Sequence, residues 1–297
     1  MDSIKKRLVF SHFADWHMLP DAILASLLTE AKENGVKNLV FTDPWITRIL
    51  RDPRETGFFR RVLKDFSFTD MHAPYGECYD LACAGNGRRE DMLKDHQRAM
   101  GYASDFGCRT YTIHIGAYDS VFFHKPNSEI RPLALDTLEK LIPFAEKYGL
   151  VIAVENAFER SNTPDEVMYY VEKIKHPNLG CCFDSGHALV MNSYPGKGEY
   201  GDYMKNQVWS GKVENYCNAF EKMAPAIVTC HLHGNDGFSD QHLPPGNGIE
   251  NWEILAEKLL NKAPRLISIQ SEATVFKNGF ALSNVVKRYR KIFPGLA

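Results

Sequence analysis

Along the chain, short apolar runs alternate with longer segments in which apolar residues return every third or fourth position, and the alternation repeats eight times. The short runs are "RLVFSHF" (7–13), "NLVFTD" (38–43), "FTDMHAPY" (68–75), "RTYTIHIG" (109–116), "LVIAVENAF" (150–158), "LGCCFDS" (179–185), "AIVTCHLH" (226–233) and "LISIQSEA" (266–273). Their length and apolar character predict strands. In the segment "DAILASLLTEAKENG", Leu24, Leu27, Leu28 and Ala31 fall on one face and Gly35 supplies a stop, which predicts an amphipathic helix. "LALDTLEKLIPFAEKYG" repeats the pattern and ends on Gly149, and further helices are expected over 88–107, 164–175, 210–223, 251–263 and 282–293.

Near-continuous apolar strands separated by amphipathic helices imply a parallel sheet covered by helices. Eight such units within 297 residues predict an α/β fold of the (β/α)8 TIM-barrel type rather than an open sheet. No linker divides the chain, so residues 1–297 are expected to form a single TIM-barrel domain. No GxGxxG follows the first strand and no GxxxxGK[ST] occurs, which removes support for the nucleotide-binding open sheets. The longest irregular stretch, 188–209, follows the sixth strand and is rich in Gly and Tyr; it is expected to form a lid loop.

Composition narrows the function classes. Apolar content of 44% with 12% aromatics provides for a large core. Thirty-five basic residues against thirty-seven acidic ones leave a net charge of -2, which disfavours nucleic acid as the main partner. The seven cysteines are odd in number, scattered, and without a CxxC pair, so neither a disulfide framework nor a thiolate zinc site is expected and a reducing, cytoplasmic setting is. No apolar run approaches the roughly 18 residues of a membrane span, and no signal-peptide core opens the chain.

The chemistry lies at the C-terminal ends of the strands. The third ends in His72, the fourth in His114, the fifth in Glu155, and the sixth in Asp184 with His187 three residues on. The seventh ends in His231 and His233, and the eighth in Glu272. A barrel gathers these ends into one ring at the face where active sites of this fold lie. One strand-end histidine is ordinarily a hydrogen-bonded rim residue. Carboxylates in "AVENAF" and "ISIQSEA" are harder to explain, because an unpaired charge among apolar neighbours costs several kcal/mol. Converging imidazoles and carboxylates call for a divalent cation, and these are the donors that bind zinc, manganese or iron without thiolates. Trp16, Trp45 and Trp209 are candidates for stacking on the apolar face of a ligand.

With these residues in order, the chain resembles the xylose-isomerase-like TIM-barrel superfamily, which includes sugar (phosphate) isomerases and epimerases, inosose dehydratases and endonuclease-IV-type nucleases. The resemblance spans the whole chain and rests on "HAPY" (72–75), "VEN" (154–156), "DSGH" (184–187), "CHLHGND" (230–236), "DQHLPPGNG" (240–248) and "SEA" (271–273). It implies a divalent metal (Mn, Zn, Co, Fe or Mg) on Glu155, Asp184, His231 and Glu272, with Glu155 and Glu272 also moving protons. His187, His72, His114 and Trp16 are then substrate-binding candidates. The nuclease pattern implies additional metal on His72, His114, His187, Asp240 and His242, which supply the right residue types. The chain departs from both branches. Gly76 stands where the nucleases carry an apolar side chain, residues 234–242 lack the Arg of many epimerases, and position 234, often acidic in relatives, is Gly.

The leading expectation is an isomerase or epimerase of a small-molecule carbohydrate, working by proton abstraction next to a carbonyl through a metal-held enediolate. The alternatives are a zinc-dependent phosphodiesterase or other hydrolase, and a dehydratase on the same scaffold. A homo-oligomer is a further expectation that the resemblance carries. His233 is left as an outer partner or substrate contact, and "PPGNG" as the turn into the next helix.

Overall fold

A computed structural model describes residues 8–14, 18–198, 200–275 and 279–296. The eight expected strands form, each trimmed at its ends: β1 (Val9–His12), β2 (Asn38–Phe41), β3 (Ser67–His72), β4 (Thr110–Ile113), β5 (Val151–Glu155), β6 (Leu179–Asp184), β7 (Ile227–Leu232) and β8 (Ser268–Ser271). Every neighbour pair is parallel and β8 pairs with β1, so the sheet closes into a barrel. The helices between strands form the outer layer, and no described helix is long and apolar enough to cross a membrane.

Local sequence sets each element. α1 (Asp21–Glu33) buries Leu24, Leu27, Leu28 and Ala31, the stripe the periodicity predicts. After β2 come α2 (Asp43–Arg51) and α3 (Glu55–Val62); α4 (Asn86–Asp105) follows β3. β4 leads to the short α5 (Ala117–Phe122) and the long α6 (Asn127–Tyr148), which Gly149 ends in the left-handed conformation that glycine tolerates. α7 (Pro164–Ile174) starts at Thr163, whose side chain accepts the Glu166 N–H.

Two expectations change. Residues 188–209 are not one irregular loop: α8 (Ser185–Ser193) begins directly at the end of β6, and a π-helical turn spans Tyr203–Val208. Met204, Val208 and Trp209 are buried, which explains why that turn is held. The helix expected over 210–223 shrinks to α9 (Ala219–Met223), because the stretch before it holds glycine and exposed polar residues rather than a continuous apolar stripe. α10 (Trp252–Lys262) and α11 (Leu282–Ile292) complete the ring.

Two register shifts decide which side chains point inward. Between β6 and β7, Cys181 faces Ile227 and Cys182 faces Thr229, so Val228 is an extra residue, a bulge. It brings Thr229 and His231 into phase with the interior. A similar shift skips Thr69 on β3, and Asp70 lies in the barrel centre. There Asp70 accepts hydrogen bonds from Ser11 (2.7 Å), Thr110 (2.6 Å) and Ser268. Its carboxyl is nonetheless pushed above the usual range, because burial outweighs the three donors.

A candidate metal centre at the barrel mouth

The strand ends deliver nine buried or nearly buried polar residues to one face of the barrel. His72, Glu155 and Asp184 are the last residues of β3, β5 and β6; His114 and Glu272 lie one position beyond β4 and β8. His231 is the penultimate residue of β7, and His187 lies in the first turn of α8. Asp240 and His242 arrive from the loop after β7.

Short polar residues fix these ends. Asn156 ties β5 to β6: its side chain accepts the Asp184 N–H (2.8 Å) and donates to the Asp184 carbonyl (3.1 Å), while its own carbonyl meets His187 Nδ1 (2.9 Å). Ser185 ties β6 to β7 through the backbone of His233. Gly186 is required by packing, since a Cβ there would stand 1.9 Å from the His233 ring. Asp236 is no ligand; its carboxylate accepts the Phe238 and Ser239 N–H groups and shapes the loop. His242 sits at φ 53, a left-handed backbone uncommon outside glycine, held by the N–H of Thr274 on its carbonyl.

The donors fall into three main groups, each with atoms close enough to share an ion: Glu155, Asp184, His231 and Glu272; His72, His114 and Glu155; and His187, His233, Asp240 and His242. In the first group, His231 Nδ1 lies 3.0 Å from Glu155 and 3.3 Å from Glu272. Glu155 also belongs to the second group, where its Oε2 lies 3.2 Å from His114 and 3.8 Å from His72. In the third, His242 Nε2 is 3.0 Å from Asp240 and His187 Nε2 3.4 Å. His233 was expected only as an outer partner. It stacks on His242 at 3.8 Å with its Nε2 3.0 Å from Asp184, and so joins the first and third groups. Its two-residue spacing from His231 was the signal for this.

The charges answer one another. Burial pushes Glu155 up, but the charges of His231 and His114 outweigh it and hold the carboxyl well below its usual range. Burial depresses His242, yet Asp240 outweighs it and lifts the imidazole to about 9. Burial leaves Glu272 raised, with Asp184 adding to the effect. His72, dominated by burial, is lowered to about 4. Such a set fits a divalent cation. Oε2 of Glu155 and Oε2 of Glu272 approach imidazoles without a hydrogen bond of acceptable geometry, which is costly for buried carboxylate oxygens.

A cavity of about 290 Å³ opens above these groups, lined among others by Asp43, Tyr75, Phe158 and Glu159. Glu159 was missed by the sequence reading, although it stands four residues after Glu155 in the same segment. Trp16 lies outside the described residues. Trp45 is buried in the outer core against Phe41 and Phe59, and Trp209 is buried with its Nε1 donating to the Phe158 carbonyl (2.9 Å). Neither lines the cavity, which corrects their assignment as stacking residues.

A model of the xylose isomerase-like TIM barrel family matches residues 28–279. The chain belongs to this family. An uncharacterized protein of Methanocaldococcus jannaschii, MJ1311, is 26% identical over 193 residues, 64% of this chain and 59% of that protein. The chain therefore aligns with about three fifths of that relative's length. Among solved members of similar fold, a D-tagatose 3-epimerase-like protein superposes with a TM-score of 0.68 at 19% identity, covering 98% of this chain and 100% of its own. A D-psicose 3-epimerase studied in the presence of D-fructose gives 0.67 at 13%, covering 96% and 97%. A xylose isomerase-like TIM barrel protein from Mycobacterium smegmatis in complex with magnesium gives 0.66 at 16%, covering 97% and 96%.

Proposed function

We propose that the chain is a metal-dependent isomerase or epimerase of a carbohydrate or related polyol. The observation that carries this reading is the pairing of Glu155 and Glu272 around His231 beneath a cavity of small-molecule size. The names of the epimerase barrels it resembles, and of the magnesium-bound one, support it.

Glu155, Asp184, His231 and Glu272 would hold the ion, which as a Lewis acid would stabilise negative charge developing on a substrate oxygen. The two glutamates move the proton: one carboxylate takes it from the carbon beside the carbonyl, and the other returns it. His187, fixed through Nδ1 by the Asn156 carbonyl, points its Nε2 edge towards Asp240 at the cavity wall and orients a substrate hydroxyl. Tyr200 and Tyr203 of the segment after α8 pack beside Phe158, so that segment covers the cavity and limits water.

Incubation in deuterated water with a panel of free ketoses and aldoses tests the reaction. Deuterium should enter the substrate carbon, and Glu155→Gln or Glu272→Gln should slow its entry by roughly 10²–10⁴-fold. No exchange with any sugar would sink the reading.

A second reading, a hydrolase with two or three zinc ions, is favoured by one observation. Two of the three donor groups share Glu155, and the third adjoins the first through His233, whose Nε2 lies 3.0 Å from Asp184. Asp240→Ala with His242→Ala separates the two. Loss of one metal equivalent together with hydrolysis of a phosphodiester probe would establish the hydrolase; sugar exchange retained in the double variant would leave the pair structural.

A further inference from the structure

Beneath the first donor group lies a thiol that the proposed reaction does not use. Cys182 is fully buried on β6, inside the barrel, packed with Ala153 and Val228. It pairs in register with Glu155 on one side and Thr229 on the other, two residues below the Asp184–His231 pair. The Cys182 sulfur, a His231 nitrogen and a Glu155 oxygen lie within 4.8 Å of one another.

His231 is enclosed on all sides. Phe13 meets its ring edge-on at 5.3 Å, and the His72 ring lies over it at 5.8 Å. Its Nδ1 is taken by Glu155 and Glu272. Its Nε2 is buried and has no hydrogen-bond partner of ordinary geometry. A metal-ligating imidazole nearly always offers its second nitrogen to an outer partner, which fixes the ring and its tautomer. Such partners are ordinarily carboxylate, carbonyl or water oxygens; here a thiol stands next to the ring.

We infer that Cys182 is the outer partner of His231, a positioning residue whose sulfur accepts a hydrogen bond from the Nε2–H while Nδ1 faces the ion. This rests on the metal-dependent reading above. It extends that reading to the barrel interior, where the bulge at Val228 sets His231 and Cys182 at adjoining levels. A sulfur is a weak acceptor. It holds the ring in place without the pull that a carboxylate would exert.

The test uses the full chain stripped of metal and titrated with Zn²⁺ or Co²⁺ against a competing chelator. Cys182→Val keeps the side chain's bulk but cannot accept the hydrogen bond, and should weaken binding roughly 10–100-fold. Cys182→Ser retains an acceptor and should stay closer to wild type than Cys182→Val does. Melting of the metal-free variants separates a loss of fold from a loss of affinity. Equal affinities for wild type and Cys182→Val would overturn the inference, as would equal losses for both variants. In the Co²⁺ form, an intense near-ultraviolet thiolate band that vanishes in Cys182→Ser would also overturn it, by making Cys182 a direct ligand. A wild-type protein that takes up no metal would instead remove the reading on which this rests.

Discussion

Single side chains at the mouth are fixed by contacts that leave little tolerance, and Gly186 is the clearest case. Its missing Cβ is the space in which the His233 ring sits, so Gly186→Ala forces the imidazole away from Asp184 and His242. The expected outcome is a loss of about 1–3 kcal/mol of stability from overpacking, with weaker metal binding, read by denaturant melts and metal titration. Much at this scale was legible. Glu155, Asp184, His231 and Glu272 are read from the sequence as strand-end donors, and they do converge. What stayed hidden was set by distance along the chain. The place of Gly186 beside His233 cannot be read from neighbours in sequence, because it depends on the end of a strand tens of residues further on.

At the level of elements, the sequence patterns located all eight strands but not the segment after β6. Glycines and tyrosines over 194–209 have no helical or strand period, yet Met204, Val208 and Trp209 turn inward and order the stretch. Its link to the site is the Trp209 indole, which donates to the carbonyl of Phe158 on the cavity wall. Trp209→Phe keeps the packing and removes that bond, worth about 1 kcal/mol. The measured consequence should be a raised KM with metal content unchanged; an unaltered KM would show that the segment does not cover the substrate. The bulge in β7 was equally invisible, since "AIVTCHLH" alternates without announcing an extra residue, and it determines that Thr229 and His231 face inward together.

The whole barrel carries a pH dependence that groups outside the donor clusters share. His96 is fully buried between Tyr111 and the Tyr79 carbonyl, and His12 lies against Ser271. Burial lowers His96 to about 4 and His12 to about 3 from 6.5. Both are neutral in the fold, so below pH 6.5 the unfolded chain binds protons that the folded one refuses. Stability therefore falls as pH drops through 6.5 and stops responding to these two groups below their folded values. Each can contribute up to about 1.4 kcal/mol per pH unit inside its window. Melts between pH 7 and pH 4 should show the loss, and His96→Gln should flatten it. An identical slope in that variant would assign the acid response to other groups.

Glu155 belongs to two donor groups at once, with one oxygen towards His231 and the other towards His114. Two cations held by the same carboxylate cannot bind as independent events. Whatever the first does to the electron density and orientation of Glu155, the second meets, and linkage requires the effect to be equal in both directions. With a cation in each group, the occupancy of one pocket of the mouth would be written into the affinity of the other. A single glutamate at the end of β5 would then make the mouth a coupled pair of receptors rather than a row of separate ones.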